Sequence, residues 1–100
     1  MSDLSAFTAG ARAGRQFARE LASAEQLQAI ERLQALSDSE MFAASVLADE
    51  CYYGLFPERD GDEQASWTFW QRLGGPMVSR EFVTGFIDGS LSISAMARVR

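Results

Sequence analysis

The stretch from Met41 to Phe56, MFAASVLADECYYGLF, constrains the fold most, because twelve of its sixteen residues are apolar or aromatic. Its polar side chains scarcely make a stripe. On a helical wheel Asp38, Ser45 and Asp49 fall within about 40° of one another, with Glu50 turned about 100° further round. A helix this apolar must be covered on most sides. The spacing therefore predicts a central helix over about 38–53, set in a compact all-α bundle of about five short helices. Ser37-Asp-Ser-Glu40 opens it with a capping-box pattern, Gly54 offers a left-handed C-terminal residue, and Pro57 bars continuation.

The other helices follow from the same signals. Leu4, Phe7, Ala11, Gly14, Phe17, Ala18 and Leu21 share one face of a first helix over about 4–22, with Arg12, Arg15 and Arg19 on an adjacent stripe. Ser23-Ala-Glu-Gln26 is a second capping box. It opens a helix that carries Leu27, Ile30, Leu33 and Leu36 inward. A fourth helix over about 62–73 presents Trp67, Trp70 and Leu73 on one face and stops at Gly74-Gly75-Pro76. A fifth, capped by Ser79, runs to about Asp88 and buries Phe82, Val83 and Phe86. Residues 90–100 alternate apolar and polar, which suits either an extended edge or a further short helix; the short helix is the expectation.

One spacing recurs. Phe7-x-x-Gly10-x-x-x-Gly14 is repeated as Phe82-x-x-Gly85-x-x-x-Gly89. Each glycine costs about 1 kcal/mol against Ala in a helix interior, so both pairs call for a packing reason. Close approach of the first and last helices supplies one.

One hundred residues, 47% of them hydrophobic, suffice for a single helical domain, 1–100, with one modest core, and leave little room for a deep cleft. The chain has one cysteine and no histidine, which excludes a disulfide framework and the usual zinc sites. Cys51 reads as a small core residue. No cofactor-binding or metal-binding motif is present: Glu58 to Glu63 forms a polar turn tightest at Asp60-Gly61, without the spacing of a calcium loop. Enzymatic chemistry would fall to carboxylate pairs such as Asp49 with Glu50, which would need a pocket to perturb them, so the expectation is a protein that is not an enzyme. No basic leader with an apolar run and no membrane-length apolar segment occurs, which points to a soluble protein of the cytoplasm.

Charge carries the functional signal. The net charge is −5, which disfavours a nucleic-acid backbone as partner and favours a basic protein surface. Residues 38–63 hold Asp38, Glu40, Asp49, Glu50, Glu58, Asp60, Asp62 and Glu63 against Arg59 alone, eight of the fourteen acids in the chain. Such a run is either an ordinary solvated surface or an acidic face for a basic partner. Tyr52, Tyr53 and Phe56 lie beside it, as aromatic anchors beside a charged rim do in interfaces. Periodicity sends Phe56 and one tyrosine inward and leaves the other tyrosine as the candidate anchor. The candidate partner-binding residues are Asp49, Glu50, Tyr52, Tyr53, Glu58, Asp60, Asp62 and Glu63. Arg12, Arg15 and Arg19 could grip an anion, but pairing with the chain's own acids is the expectation.

A compact, acidic helical chain without Lys or His, with an acidic belt beside aromatics, resembles the small inhibitor proteins that phages and mobile elements of GC-rich bacteria carry, in particular anti-CRISPR proteins against type I surveillance complexes. The resemblance is one of size, charge and style. It implies a host bacterial cytoplasm and a CRISPR-Cas type I effector complex as partner. It also implies inhibition without chemistry, in which acidic side chains occupy the Arg/Lys surface that would hold target DNA. Two other classes stand beside it: a DNA-binding regulator whose segment 79–100 forms a helix-turn-helix, with Gly89 in the turn and Arg98 and Arg100 on the recognition helix, and a structural or adaptor subunit of a larger assembly.

Overall fold

The computed structural model describes residues 2–37, 43–74 and 79–99, with side chains over 5–35, 43–74 and 79–96. The protein is an all-α bundle of five helices: α1 (Ser2–Gln16), α2 (Ala24–Ser37), α3 (Ala44–Leu55), α4 (Glu63–Gly74) and α5 (Arg80–Val99). No strand occurs among the described residues. α1 continues into a π-helical turn, Phe17–Leu21, and a 3-10 turn, Pro57–Arg59, joins α3 towards α4.

The recurrent glycine spacing organises the bundle. A Cβ at Gly10 would run into the carbonyl oxygen of Phe82 and one at Gly14 into that of Phe86; reciprocally, Gly85 faces Phe7 O and Gly89 faces Ala11 O. The pairings rise together along both chains, so α1 and α5 run parallel with their backbones in contact over two turns. Ser90, fully buried one step past Gly89, donates its hydroxyl to the carbonyl of Gly14 at 3.1 Å. Small side chains at four-residue spacing let helix axes approach in this way in water as in lipid. No described helix is long and apolar enough to cross a membrane.

That contact corrects the expected end of the fifth helix. α5 does not stop near Asp88 but runs for 20 residues through Gly89 and Ser90, because both are buried against α1 and the helical backbone there has its packing partner. A helix-turn-helix with Gly89 in its turn is therefore absent. The side chains of Arg98 and Arg100 lie outside the described residues.

The hydrophobic core fills the space between the α1/α5 pair and the other helices. Ile30 and Leu33 enter from α2, Leu47, Cys51 and Leu55 from α3, Trp70 from α4, and Phe82, Val83, Phe86 and Ile87 from α5. Aromatic rings join these contributions edge to face: Phe17 lies 5.9 Å from Phe69, and Trp70 lies 5.1 Å from Phe86. Trp70 also donates its indole N–H to Ala48 O at 2.9 Å, so a large apolar group is buried without a stranded donor. Cys51 is fully buried, and its burial pushes the thiol far above its ordinary range, as befits a core residue.

The helix boundaries follow the capping chemistry at two of the three expected places, and Asp62 adds a further cap. Ser23 and Gln26 form the reciprocal box, with Gln26 N donating to Ser23 Oγ at 3.1 Å and Ser23 N to Gln26 Oε1 at 2.9 Å. Asp62 Oδ1 accepts from Ala65 N at the start of α4, and Ser79 Oγ from Phe82 N at the start of α5. The box expected at Ser37 does not open α3. Ser37 closes α2, α3 begins at Ala44 after an extended Ala43, and residues 38–42 lie outside the described residues.

Two further expectations are corrected, at Gly54 and Leu21. Gly54 is not a left-handed terminus; it lies within α3, and a Cβ there would come 2.8 Å from Leu33 Cδ2, so its service is to let α2 approach. The positive φ of the described glycines is at Gly61, 85°, in the Asp60-Gly61 turn. Leu21 is 69% exposed rather than inward, because the wide π turn, closed by Ala22 N to Phe17 O at 2.8 Å, rotates it off the face that buries Phe17 and Ala18. The side chain of Leu36 lies outside the described residues.

Candidate functional site

The acidic surface is built from the C-terminal half of α3, the turn after it and the first turn of α4. α3 and α4 pack with Ser66 between them. Ser66 is fully buried and donates its hydroxyl to Asp49 Oδ1 at 2.6 Å, and its small side chain lets the two helices close. Asp49 is thereby held at the helix junction, half-buried, with its second oxygen left for other partners. One turn along α3 stands Tyr53, half-buried, its ring 6.0 Å from Tyr52 at 70°.

The field at Tyr53 reveals which acids converge. Desolvation first, then the negative charges of Asp49, Glu63, Asp60 and Asp62, push its phenol above the ordinary value of 10.0. Four of the expected site residues thus act on one phenol. Glu50 and Glu58 are exposed but are not among the charges acting there. Asp38 and Glu40 lie outside the described residues. Arg59 leans on Asp62 at 3.8 Å, an exposed pair that neutralises little of the patch.

Tyr52 requires a correction. It is 6% exposed, with ring centroids 4.8 Å from Phe56 and 5.3 Å from Phe69 in tilted contact, so it belongs to the aromatic core and offers no surface to a partner. Adjacent residues on a helix lie about 100° apart, and Tyr52, one turn before Phe56, takes the inward place while Tyr53 stands at the edge of the buried face.

The aromatic that does face outward is Trp67, 55% exposed. It was expected inward with Trp70. The buried face of α4 is centred on Ser66 and Trp70, and the next residue round from Ser66 emerges at the rim. Its position was legible in part: Trp67 follows Glu63 by four residues, on the stripe that begins at an exposed acid. Across from it, Ser45 and Asp49 form a matching stripe on α3. Between the two runs an open groove of about 950 Å³, floored by Ala44 and Ala48 and flanked by Asp49, Glu63 and Trp67.

Among the described residues no group of three or more candidate ligands is placed to hold a metal ion. Arg12 and Arg19 are exposed and Arg15 half-buried, and among the described residues none of the three makes an ion pair, contrary to the expected internal pairing. The surface thus carries an acidic cluster with an exposed indole and, on α1 and the π turn after it, three arginines without an ion pair among the described residues. The chain matches no protein-family model, no curated protein and no solved structure.

Proposed function

We propose that the protein is a non-enzymatic inhibitor that binds a basic, nucleic-acid-binding protein surface through its acidic cluster and blocks it. The observation that carries this reading is the exposed Trp67 sharing the α3–α4 groove with Asp49 and Glu63, next to the turn that carries Asp60 and Asp62. Clustered carboxylates set up a local negative potential of the kind a phosphate backbone presents, and an adjoining large aromatic supplies desolvated contact area that charge alone does not. A type I CRISPR-Cas effector complex as the target rests on the likeness in size, charge and style to anti-CRISPR proteins.

The test is a DNA-displacement assay. Purified type I effector complexes are incubated with the protein, and binding of their target DNA is read by mobility shift at several salt concentrations. Loss of DNA binding that is relieved by added salt, and by changing Asp60, Asp62 and Glu63 together to Asn, Asn and Gln, is expected. Undiminished DNA binding by every complex tried would remove that target. A variant carrying Arg12, Arg15 and Arg19 changed to Gln serves as control. If it loses activity while the acid variant keeps it, a phosphate-gripping α1 replaces the acidic surface.

A further inference from the structure

The geometry points to the groove between α3 and α4 as a receptor for an arginine side chain of the basic partner, its guanidinium stacked on Trp67 and paired with Asp49 and Glu63. This rests on the reading of the acidic surface as a protein-binding face and names the contact that would give it specificity. Four features of the groove select the occupant.

Trp67 is 55% exposed, and among the described residues its ring meets no other ring and its indole N–H no acceptor. An exposed aromatic ring lining a groove with two carboxylates is suited to a cation, and to guanidinium above ammonium, because guanidinium is flat and weakly hydrated. The carboxylates are positioned from both sides. Glu63 stands one turn before Trp67 on α4, and Asp49 faces it from α3, where the hydroxyl of buried Ser66 fixes Oδ1 at 2.6 Å and leaves Oδ2 for a guanidinium N–H. The floor is small and apolar, Ala44 and Ala48, which accommodates a methylene stem. The volume, about 950 Å³, takes an arginine together with the backbone on either side of it.

The experiment uses the full chain and two peptides, hexa-arginine and hexa-lysine, followed by tryptophan emission and calorimetry at low and moderate salt. Hexa-arginine is expected to bind at least about 5-fold more tightly than hexa-lysine and to perturb Trp67 emission. Trp67→Ala should remove that preference, and Trp67→Phe should keep part of it. Asp60→Asn, which reduces the charge of the cluster away from the groove, should weaken both peptides alike by less than about 3-fold. Circular dichroism of each variant confirms the fold, which an exposed side chain does not support. Equal binding of the two peptides, unaffected by Trp67→Ala, overturns the groove while leaving the acidic surface intact. Failure of both peptides to bind at low salt removes the acidic surface and the groove together. A concentration-dependent dimer in sedimentation that Trp67→Ala abolishes also overturns the proposal, since a second copy of this chain would then occupy the groove.

Discussion

The hydroxyl of Ser66 donates to Asp49 Oδ1 at 2.6 Å from a position with no solvent exposure, so one hydrogen bond both locks α4 onto α3 and aims a carboxylate at the surface. Asp49→Ala leaves that hydroxyl buried without its acceptor and should cost about 1–3 kcal/mol in urea unfolding. Asp49→Asn keeps an acceptor in place and should cost about half as much. A loss below about 0.5 kcal/mol in the Ala variant would mean that water replaces the carboxylate.

The glycine contacts give a prediction of sign. In an exposed helix interior Gly→Ala stabilises by about 1 kcal/mol. At Gly14 the new methyl would meet the carbonyl of Phe86, which is helix backbone and cannot turn aside. Gly14→Ala should therefore destabilise, by at least about 2 kcal/mol, and Gly14→Leu should not fold stably. Thermal unfolding reads the difference, and a stabilised Gly14→Ala would show that α1 and α5 stand further apart.

Gln26 serves two helices with one amide: its Oε1 accepts from Ser23 N and its Nε2 donates to Leu55 O at 3.0 Å. Gln26→Glu retains the cap but sets an acceptor against an acceptor at Leu55, so it should be destabilising by about 1–2 kcal/mol. If Glu proves neutral in denaturant titration at pH 7, the bond to Leu55 contributes nothing.

The Tyr53 phenol sits above its ordinary value, with its proton held more tightly in the folded than in the unfolded chain. The folded state therefore binds more protons as pH rises past the unfolded value near 10, and the stability associated with this group is present below that value and lost as pH climbs through the folded one. Absorbance titration of the Tyr52→Phe variant should give a Tyr53 ionisation above 10, which moves down when Asp49 and Glu63 are changed to Asn and Gln. No movement would place those carboxylates away from the ring.

Glu50 and Glu63 are both exposed acids, but only Glu63 belongs to the set acting on Tyr53. Glu63→Gln should weaken binding of a cationic peptide by about 5-fold and Glu50→Gln by less than about 2-fold, measured by calorimetry at low salt. Equal losses would mean that net charge, not the cluster, governs binding.

The local chemistry of the chain determined a good deal by itself. Helical periodicity, the Ser23/Gln26 box, the cap at Ser79 and the doubled glycine spacing each depend on residues a few positions apart, and each stands in the structure. The acidic cluster was legible as a run of charge. Tertiary packing decided what neighbours in sequence could not. α5 passes through Gly89 and Ser90 because α1 offers a backbone surface and the Gly14 carbonyl, partners more than seventy residues away. Within α3, position 54 takes a glycine because Leu33 fills the space a side chain would need. Trp70 goes inward and Trp67 outward because Ser66 is the residue small and polar enough to lie against Asp49, which rotates α4 about its axis. Burial is set by the sum of contacts across helices, and sequence spacing names a face without saying which edge of it the neighbouring helix will cover.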